Sequence, residues 1–447
     1  MANEAEKRLD VISQADSETT AGNYFVSNYP PYSLWTADRT SEALDQLDCP
    51  GSAERPLGLY VHIPFCRKRC HFCYFRIYTD KNKDDIRGYL DAVIDELAML
   101  AKRPFLSDRK LNFIYFGGGT PSYLSQKQLE YLVQGLQRSL PWDAAQEVAF
   151  ECEPGTLNKH KLQAICDLGV TRLSLGIENF DDDILKLNNR AHQSNEVYRA
   201  YEWAQMAGFN QINIDLIAGM LGETDTNWHR CIDRTLKLQP DAITIYQMEI
   251  PYNTTIYQQM QAGQQDAAPV ADWSTKRRWV AEAFTALESA GYTVSSAYTA
   301  IKNQCSTNFV YRDALWAGAD MFGIGVSSFG HLAGVHYQNQ HNFVPYISAI
   351  NDKKLPIYRA ISMTDEEQMI RQFILQLKLG RISRKPFIDR FGIDVFDRWH
   401  NVLRNYQDEG YLTFDSHELT LTRDGLLRVD QLLHQFFLPE HRGVRYA

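Results

Sequence analysis

What most constrains this chain is an alternation. From Tyr60 onward, short β-branched and aromatic runs recur: "YVHI", "LNFIYF", "EVAFECEPGT", "TRLSLGIENF", "QINIDLIAGM" and "DAITIYQMEI". The later runs each carry a polar residue near the end, and helical stretches separate them. In one of these, Asp84 to Ala101, Ile86, Tyr89, Leu90, Val93, Ile94 and Leu97 fall on a single face. Strands alternating with one-sided helices predict an α/β fold, a parallel (β/α)6 barrel either partial or closed. Ligands of such barrels sit at the C-terminal ends of the strands, so the residues that follow each strand are where function is sought.

After the first strand comes "CRKRCHFC", which crowds Cys66, Cys70 and Cys73 together in a chain that has only 8 cysteines. Cys49, Cys152, Cys166, Cys231 and Cys305 are scattered singly, which fits a reducing compartment and not a disulfide framework. Three thiolates aimed at one point suit a soft metal. Zinc would want a fourth ligand, and His71 lies between two of the cysteines; an iron–sulfur cluster held by three cysteines would leave one iron open. After the second strand comes "GGGTPSYL" (Gly117 to Leu124), where backbone can approach a ligand closely. Glu151, Glu178 and Asp215 stand at the ends of strands three, four and five. Any one of them alone reads as a helix cap or a solvated loop acid. Three at equivalent positions form a ring of acceptors suited to ribose hydroxyls and an amino group.

A net charge of −9 supplies no basic field, which argues against nucleic acid as a partner. The opening "MANEAEKRLDVISQADSETT" lacks the basic and apolar regions of a secretory signal, and no apolar stretch is long enough to span a bilayer, so a cytoplasmic protein without stable membrane insertion is expected. Near the other end, "TDEEQMIRQFILQLKLG" reads as a capped helix stopping at Gly380, and "DEGYLTFDSHELTLTRDG" as two strands turning around Asp415 to Glu418. Helices followed by a hairpin predict a small winged-helix-like α+β domain. On an acidic barrel protein it reads as a cover for the cleft and not as a DNA reader. The division expected is an arm over 1–57, a barrel over 58–260, a barrel extension and connection over 261–362, and the C-terminal domain over 363–447.

"YVHIPFCRKRCHFC", "YFGGGTPSYL", "ECEPGT", "SLGIENFDDDILKLNNRAH", "NIDLIAGM" and "GADMFGIGVSSFG", in this order, resemble the radical S-adenosylmethionine (SAM) enzymes, in the branch of oxygen-independent coproporphyrinogen III oxidase and its relatives. The likeness runs from about Tyr60 to the C-terminus. It implies that Cys66, Cys70 and Cys73 bind a [4Fe-4S] cluster whose open iron is chelated by SAM. It further implies that Tyr60 and Phe72 flank the methionyl and adenine parts, and that Gly118, Gly119 and Thr120 lie along the methionyl moiety. Glu151 would take the ribose hydroxyls, with Arg190 and Asp215 holding the remainder. Position 178 departs from the family pattern, since Glu stands where Gln is expected. The chemistry implied is reductive cleavage of SAM to a 5'-deoxyadenosyl radical, fed by an external electron donor such as flavodoxin or ferredoxin.

Within that branch the residues point two ways. The oxidase has a further cysteine two places beyond its third cluster cysteine, where this chain has Phe75; the related heme chaperone begins almost at the first strand, whereas here an aromatic arm, "NYFVSNYPPYSLW" (Asn23 to Trp35), precedes it. Such an arm suits closure over a tetrapyrrole or other planar substrate, or accommodation of a second SAM. The reactions in view are oxidative decarboxylation, C-methylation and cyclopropanation. The alternative is a heme-binding chaperone with little catalysis, for which His331, His336 and His341 are the axial-ligand candidates.

Overall fold

In the computed structural model, residues 27–442 are described, apart from 252, 262–268 and 303–306. The six apolar runs form β1 (Leu57–Ile63), β2 (Leu111–Gly118), β3 (Glu147–Cys152), β4 (Arg172–Glu178), β5 (Gln211–Ala218) and β6 (Ala242–Gln247). They lie side by side in chain order, all parallel. Their apolar runs are nearly continuous because helices cover one face while the other lines an interior. The Lys83–Leu100 helix begins at a capping box made by Asn82 and Asp85 and buries Ile86, Tyr89, Leu90, Val93 and Leu97. It also buries Glu96, whose carboxyl accepts from Tyr346 Oη (2.5 Å), Asn339 Nδ2 (2.6 Å) and the Gly325 N–H (2.8 Å). Those donors satisfy an acid that sits on the apolar face.

The sheet continues past both ends of this series. Beside β6, β8 (Thr299–Ile301) and β7 (Thr293–Val294) run antiparallel. Beside β1, β9 (Asp320–Ile324) adds a further parallel strand, with Tyr60 opposite Gly323, and β10 (Phe329–Leu332), β11 (Val335–Asn339) and β12 (Ile357–Ser362) follow antiparallel. The result is a 12-stranded sheet with β12 and β7 as its edges. Those edges do not pair among the described residues, so the barrel is partial. β9 lies outside the regular strand–helix alternation, because the chain reaches it only after the antiparallel pair and the Val310–Trp316 helix.

The C-terminal domain opens with the Asp365–Leu377 helix, capped by Thr364 and Glu367. Its sheet has the order β13 (Arg381–Ser383), β15 (Glu418–Leu421), β14 (Leu412–Phe414). The expected hairpin is β14 and β15; β13 is too short to show a period in sequence. Phe373, Phe387, Trp399, Leu403, Leu419 and Phe436 form this domain's core.

Into that core the arm inserts Tyr29, fully buried, with its ring 5.1 Å from Phe437. His441 Nδ1 and the Leu438 N–H meet its hydroxyl at 2.9 and 3.2 Å, and His336 Nε2 donates to its carbonyl at 3.0 Å. Trp35 stacks on His336 at 4.8 Å, and the Tyr32 hydroxyl donates to Gln338 at 2.6 Å. The arm thus joins the sheet extension to the C-terminal domain. Tyr24 and Phe25, also part of the expected arm, lie outside the described residues. Among the described residues no helix is long and apolar enough to cross a membrane.

Candidate functional site

Alternation along the strands decides which side chains face the interior. Tyr60 pairs in register with Tyr115, and Tyr115 with Ala149; two residues on, Glu151 pairs with Ser174. Gly176 pairs with Asp215, and Asp215 with Thr244. Tyr60, Tyr115, Glu151, Ser174 and Asp215 therefore share one face. Glu151 and Glu178 stand at or next to their strand ends as expected. Asp215 does not, since β5 continues to Ala218.

The cysteine loop leaves β1 and is held from several sides. The Cys66 N–H bonds Tyr78 O at 3.1 Å, and Asn189 Nδ2 donates to Arg69 O at 2.8 Å. Arg67 grips Glu153 with two bonds of 3.0 and 2.9 Å, and His192 Nδ1 lies 3.2 Å from the same carboxylate. Burial works against ionisation of Glu153, but the His192 and Arg67 contacts bring it down to about 2. His71 Nδ1 lies 3.1 Å from Leu187 O. Among the described residues no three His, Cys, Asp or Glu side chains converge on a single-ion position. Tetrahedral zinc would draw thiolates to about 4 Å from one another, whereas a cluster asks each cysteine for a different iron.

Burial pushes the Cys66 thiol up to about 12 and Cys73 up to about 11, with the neighbouring thiols adding to the effect. Cys66 Sγ lies 3.3 Å from Thr120 Oγ1, and Arg190 Nη1 donates to Cys70 Sγ at 3.3 Å. Burial disfavours the Arg190 charge, yet Cys70, Glu178 and Glu153 together raise its pKa. Thiols this buried ionise readily only against a positive partner or a metal.

Opposite the loop, Gly118 takes a φ of +111° and its N–H donates to Glu151 Oε2 at 3.2 Å. A Cβ on Gly119 would stand 3.0 Å from Cys66 Sγ and 2.9 Å from the Pro64 carbonyl carbon. The glycines thus keep a cradle open beside the cysteines. Tyr115 Oη donates to Glu151 Oε1 at 2.7 Å; Ser174 Oγ and Asn213 Nδ2 donate to Asp215 at 2.8 and 3.0 Å. A bulge between Gly176 and Glu178, with Glu178 at φ 65°, brings Glu178 Oε1 to 3.5 Å from Arg190 Nη2. Burial raises Glu151 to about 7 and Glu178 to about 7, and raises Asp215 as well. Phe72 joins a small apolar cluster with Ile184, Ile217, Met220, Leu221, Met248 and Ile256.

Sequence reasoning missed several members of this site. His62, two residues beyond Tyr60 on the same face, has Nδ1 3.1 Å from Tyr60 Oη and a buried Nε2 without a partner. Its period-two spacing from Tyr60 was the available signal. Tyr115 and the Arg67–Glu153–His192 clamp carried no signal, because only the fold brings them together. His331 and His336 are buried with ring centroids 4.9 Å apart, while His341 packs on Tyr358 at 4.8 Å.

The residues fit a cluster with a bound nucleoside. Three thiols, a cradle that a single Cβ would fill, an orphaned Arg190 Nε and an orphaned His62 Nε2 surround one space with a row of acid acceptors. Comparison with known proteins agrees. The radical SAM superfamily model matches residues 60–234, and the HemN C-terminal domain model matches 363–428. The radical SAM superfamily implies a [4Fe-4S] cluster and SAM.

The relatives that this chain resembles are oxygen-independent coproporphyrinogen III oxidases and a heme chaperone, HemW. It is 29% identical to heme chaperone HemW of Bacillus subtilis, covering 84% of this chain and 98% of the relative. It is 27% identical to the oxygen-independent coproporphyrinogen III oxidase of Helicobacter pylori strain J99, covering 85% and 86%. The solved coproporphyrinogen III oxidase HemN of Escherichia coli shares the fold at a TM-score of 0.79 and 23% identity, covering 94% of this chain and 99% of that one.

Proposed function

We propose that this protein is a radical SAM enzyme acting on a tetrapyrrole or a comparable planar substrate. The observation that carries the reading is the ring of Glu151, Glu178, Asp215 and Arg190 facing the glycine cradle beside Cys66, Cys70 and Cys73. Cys66, Cys70 and Cys73 would hold the cluster, with SAM bound beside it. When bound, the two supply one-electron chemistry that removes a hydrogen atom from substrate. The protein's own residues do the rest. Tyr60 and Phe72 flank the methionyl and adenine parts, Gly118, Gly119 and Thr120 admit the methionyl chain, Glu151 accepts from the ribose hydroxyls, and Arg190 and Asp215 fix the remainder. Arg67, Lys68, Arg69 and Arg76, with no acid between Cys66 and Thr79, give the loop a positive face suited to an acidic electron donor such as flavodoxin or ferredoxin.

The enzyme reading is favoured over a heme carrier because His336, an axial-ligand candidate, is committed to Tyr29 O and stacked under Trp35. The test is anaerobic reconstitution followed by assay for 5'-deoxyadenosine across a panel of porphyrins. Substrate-dependent product supports the enzyme. Stoichiometric heme binding and transfer to an apoprotein, without such product, would replace it with the carrier. Glu151→Ala and Asp215→Ala should each weaken SAM binding by about 1.5–3 kcal/mol while the iron content is kept.

A further inference from the structure

Behind the tyrosines of the site lies a concentration of positive charge that the cluster chemistry does not use. Asp320 is fully buried and ion-paired to Arg109 (3.0 Å) and Arg55 (3.4 Å), and it also accepts from the Ala333 N–H. Two further guanidinium groups from the C-terminal domain share this neighbourhood. Arg390 donates to Gln372 Oε1 at 2.6 Å, and Arg371 donates through Nε to Ser27 O of the arm at 2.8 Å. Arg371 is only 3% exposed, and among the described residues no carboxylate forms an ion pair with it or with Arg390. A buried guanidinium left without an acid is costly unless something outside the chain completes it. The acid that acts on Arg371 is Asp320, and it is already shared by Arg109 and Arg55; His331 and His336 are kept neutral by burial, and Arg371 opposes their protonation further.

The position of Arg371 connects it to the candidate site. The Val310–Trp316 helix, which carries Tyr311, packs against the Asp365–Leu377 helix, which carries Arg371, and the Arg371 charge acts on Tyr311. The Tyr311 ring lies 4.3 Å from Tyr115, whose ring stacks 6.1 Å from Tyr60. The three rings form an aromatic row whose middle member, Tyr115, bonds Glu151 and whose last member, Tyr311, sits on the helix packed against that of Arg371. A row of rings suits a flat apolar body. A guanidinium at the far end suits a carboxylate, which it can bind with two parallel bonds.

We propose that Arg371 is a specificity-determining residue that anchors an acidic side group of the substrate, with the planar part of that substrate lying along Tyr60, Tyr115 and Tyr311. The planar body rests on the tetrapyrrole reading above; the anion anchor stands on the charge arrangement alone. An ester or unsubstituted analogue would leave Arg371 buried and unpaired, so the site discriminates by what it cannot satisfy.

The test uses the full chain, reconstituted anaerobically, with Arg371→Gln and with Arg371→Met, which removes the charge without adding a polar group. Proteins whose iron content and far-UV circular dichroism match the parent are titrated with coproporphyrin III and with its tetramethyl ester, following porphyrin fluorescence. The parent should prefer the acid, and the variants should bind the acid about tenfold or more weakly with the ester unchanged, as loss of a charge-assisted bond implies. Variants that keep the parent's acid-to-ester preference overturn the proposal. Should the parent bind neither porphyrin, the tetrapyrrole reading falls, and citrate then judges the anchor. A rise in melting temperature in the parent that is missing in the variants upholds it, and equal rises refute it.

Discussion

Replacing Glu178 by Gln, the residue the family pattern leads one to expect, should make the cluster-free protein more stable at alkaline pH. Burial lifts this carboxyl from 4.5 to about 7, with nearby Asp215 adding to the rise and Arg190 opposing it. Between those two values the folded chain keeps a proton that the unfolded chain has lost, so the parent loses stability as pH rises through that window. Above pH 7 the loss is complete, and at about 1.4 kcal/mol per pKa unit it amounts to roughly 3 kcal/mol. Gln removes this cost but gives up the 3.5 Å contact with Arg190. A net gain of about 1–2 kcal/mol is therefore expected at pH 8, shrinking to nothing or slightly negative at pH 4.5. Urea unfolding of parent and Glu178→Gln, anaerobically and at several pH values, measures the difference. Titrating groups remote from position 178 cancel, while Glu151, which the Glu178 charge raises, is relieved in the variant and adds to the gain at alkaline pH. A difference that does not change with pH, or a variant less stable at pH 8, would show that the burial argument is wrong.

Other expectations follow from the same geometry. Cys66→Ala, Cys70→Ala or Cys73→Ala should each abolish bound iron and sulfide, while Cys152→Ala, at a buried thiol away from the loop, should retain them; stoichiometric zinc without sulfide in the parent would refute this. Gly119→Ala must push its methyl against Pro64 backbone and Cys66 Sγ, so it should cost about 1–3 kcal/mol and lower iron occupancy, read by iron analysis and thermal melting. Trp35→Ala, at a side chain only 3% exposed, should destabilise by about 3–5 kcal/mol, measured by chemical denaturation; a loss under 1 kcal/mol would mean the arm lies on the sheet without supporting it.

The six parallel strands could be read because each is a continuous apolar run, and the cysteine and glycine segments because they are contiguous. Glu151 and Glu178 could be placed for the same reason, each lying at a visible strand end. What sequence could not supply is adjacency created by folding. β9 joins β1 across more than two hundred residues, Arg67 finds Glu153 and His192 from three separate loops, and Arg371 comes to Tyr311 from another domain. Asp215 was misplaced because a buried strand shows no boundary when apolar residues continue past the polar one. The histidines near β10 and β11 illustrate a different gap: a His in an alternating strand carries no mark that an arm from the far end of the chain will cover it.

The hydrogen bond between Tyr29 and His441 joins positions 412 residues apart. At about 5–20 residues per second of synthesis, the ribosome takes roughly 20–80 s to make the second partner after the first. The cysteine loop, the glycine cradle and Arg190 all emerge well before then. During that interval the nascent chain holds the parts of the candidate site while the arm still lacks its partners near His441. The contacts that stitch the arm to the C-terminal domain can therefore form only after every residue of the candidate site has been made.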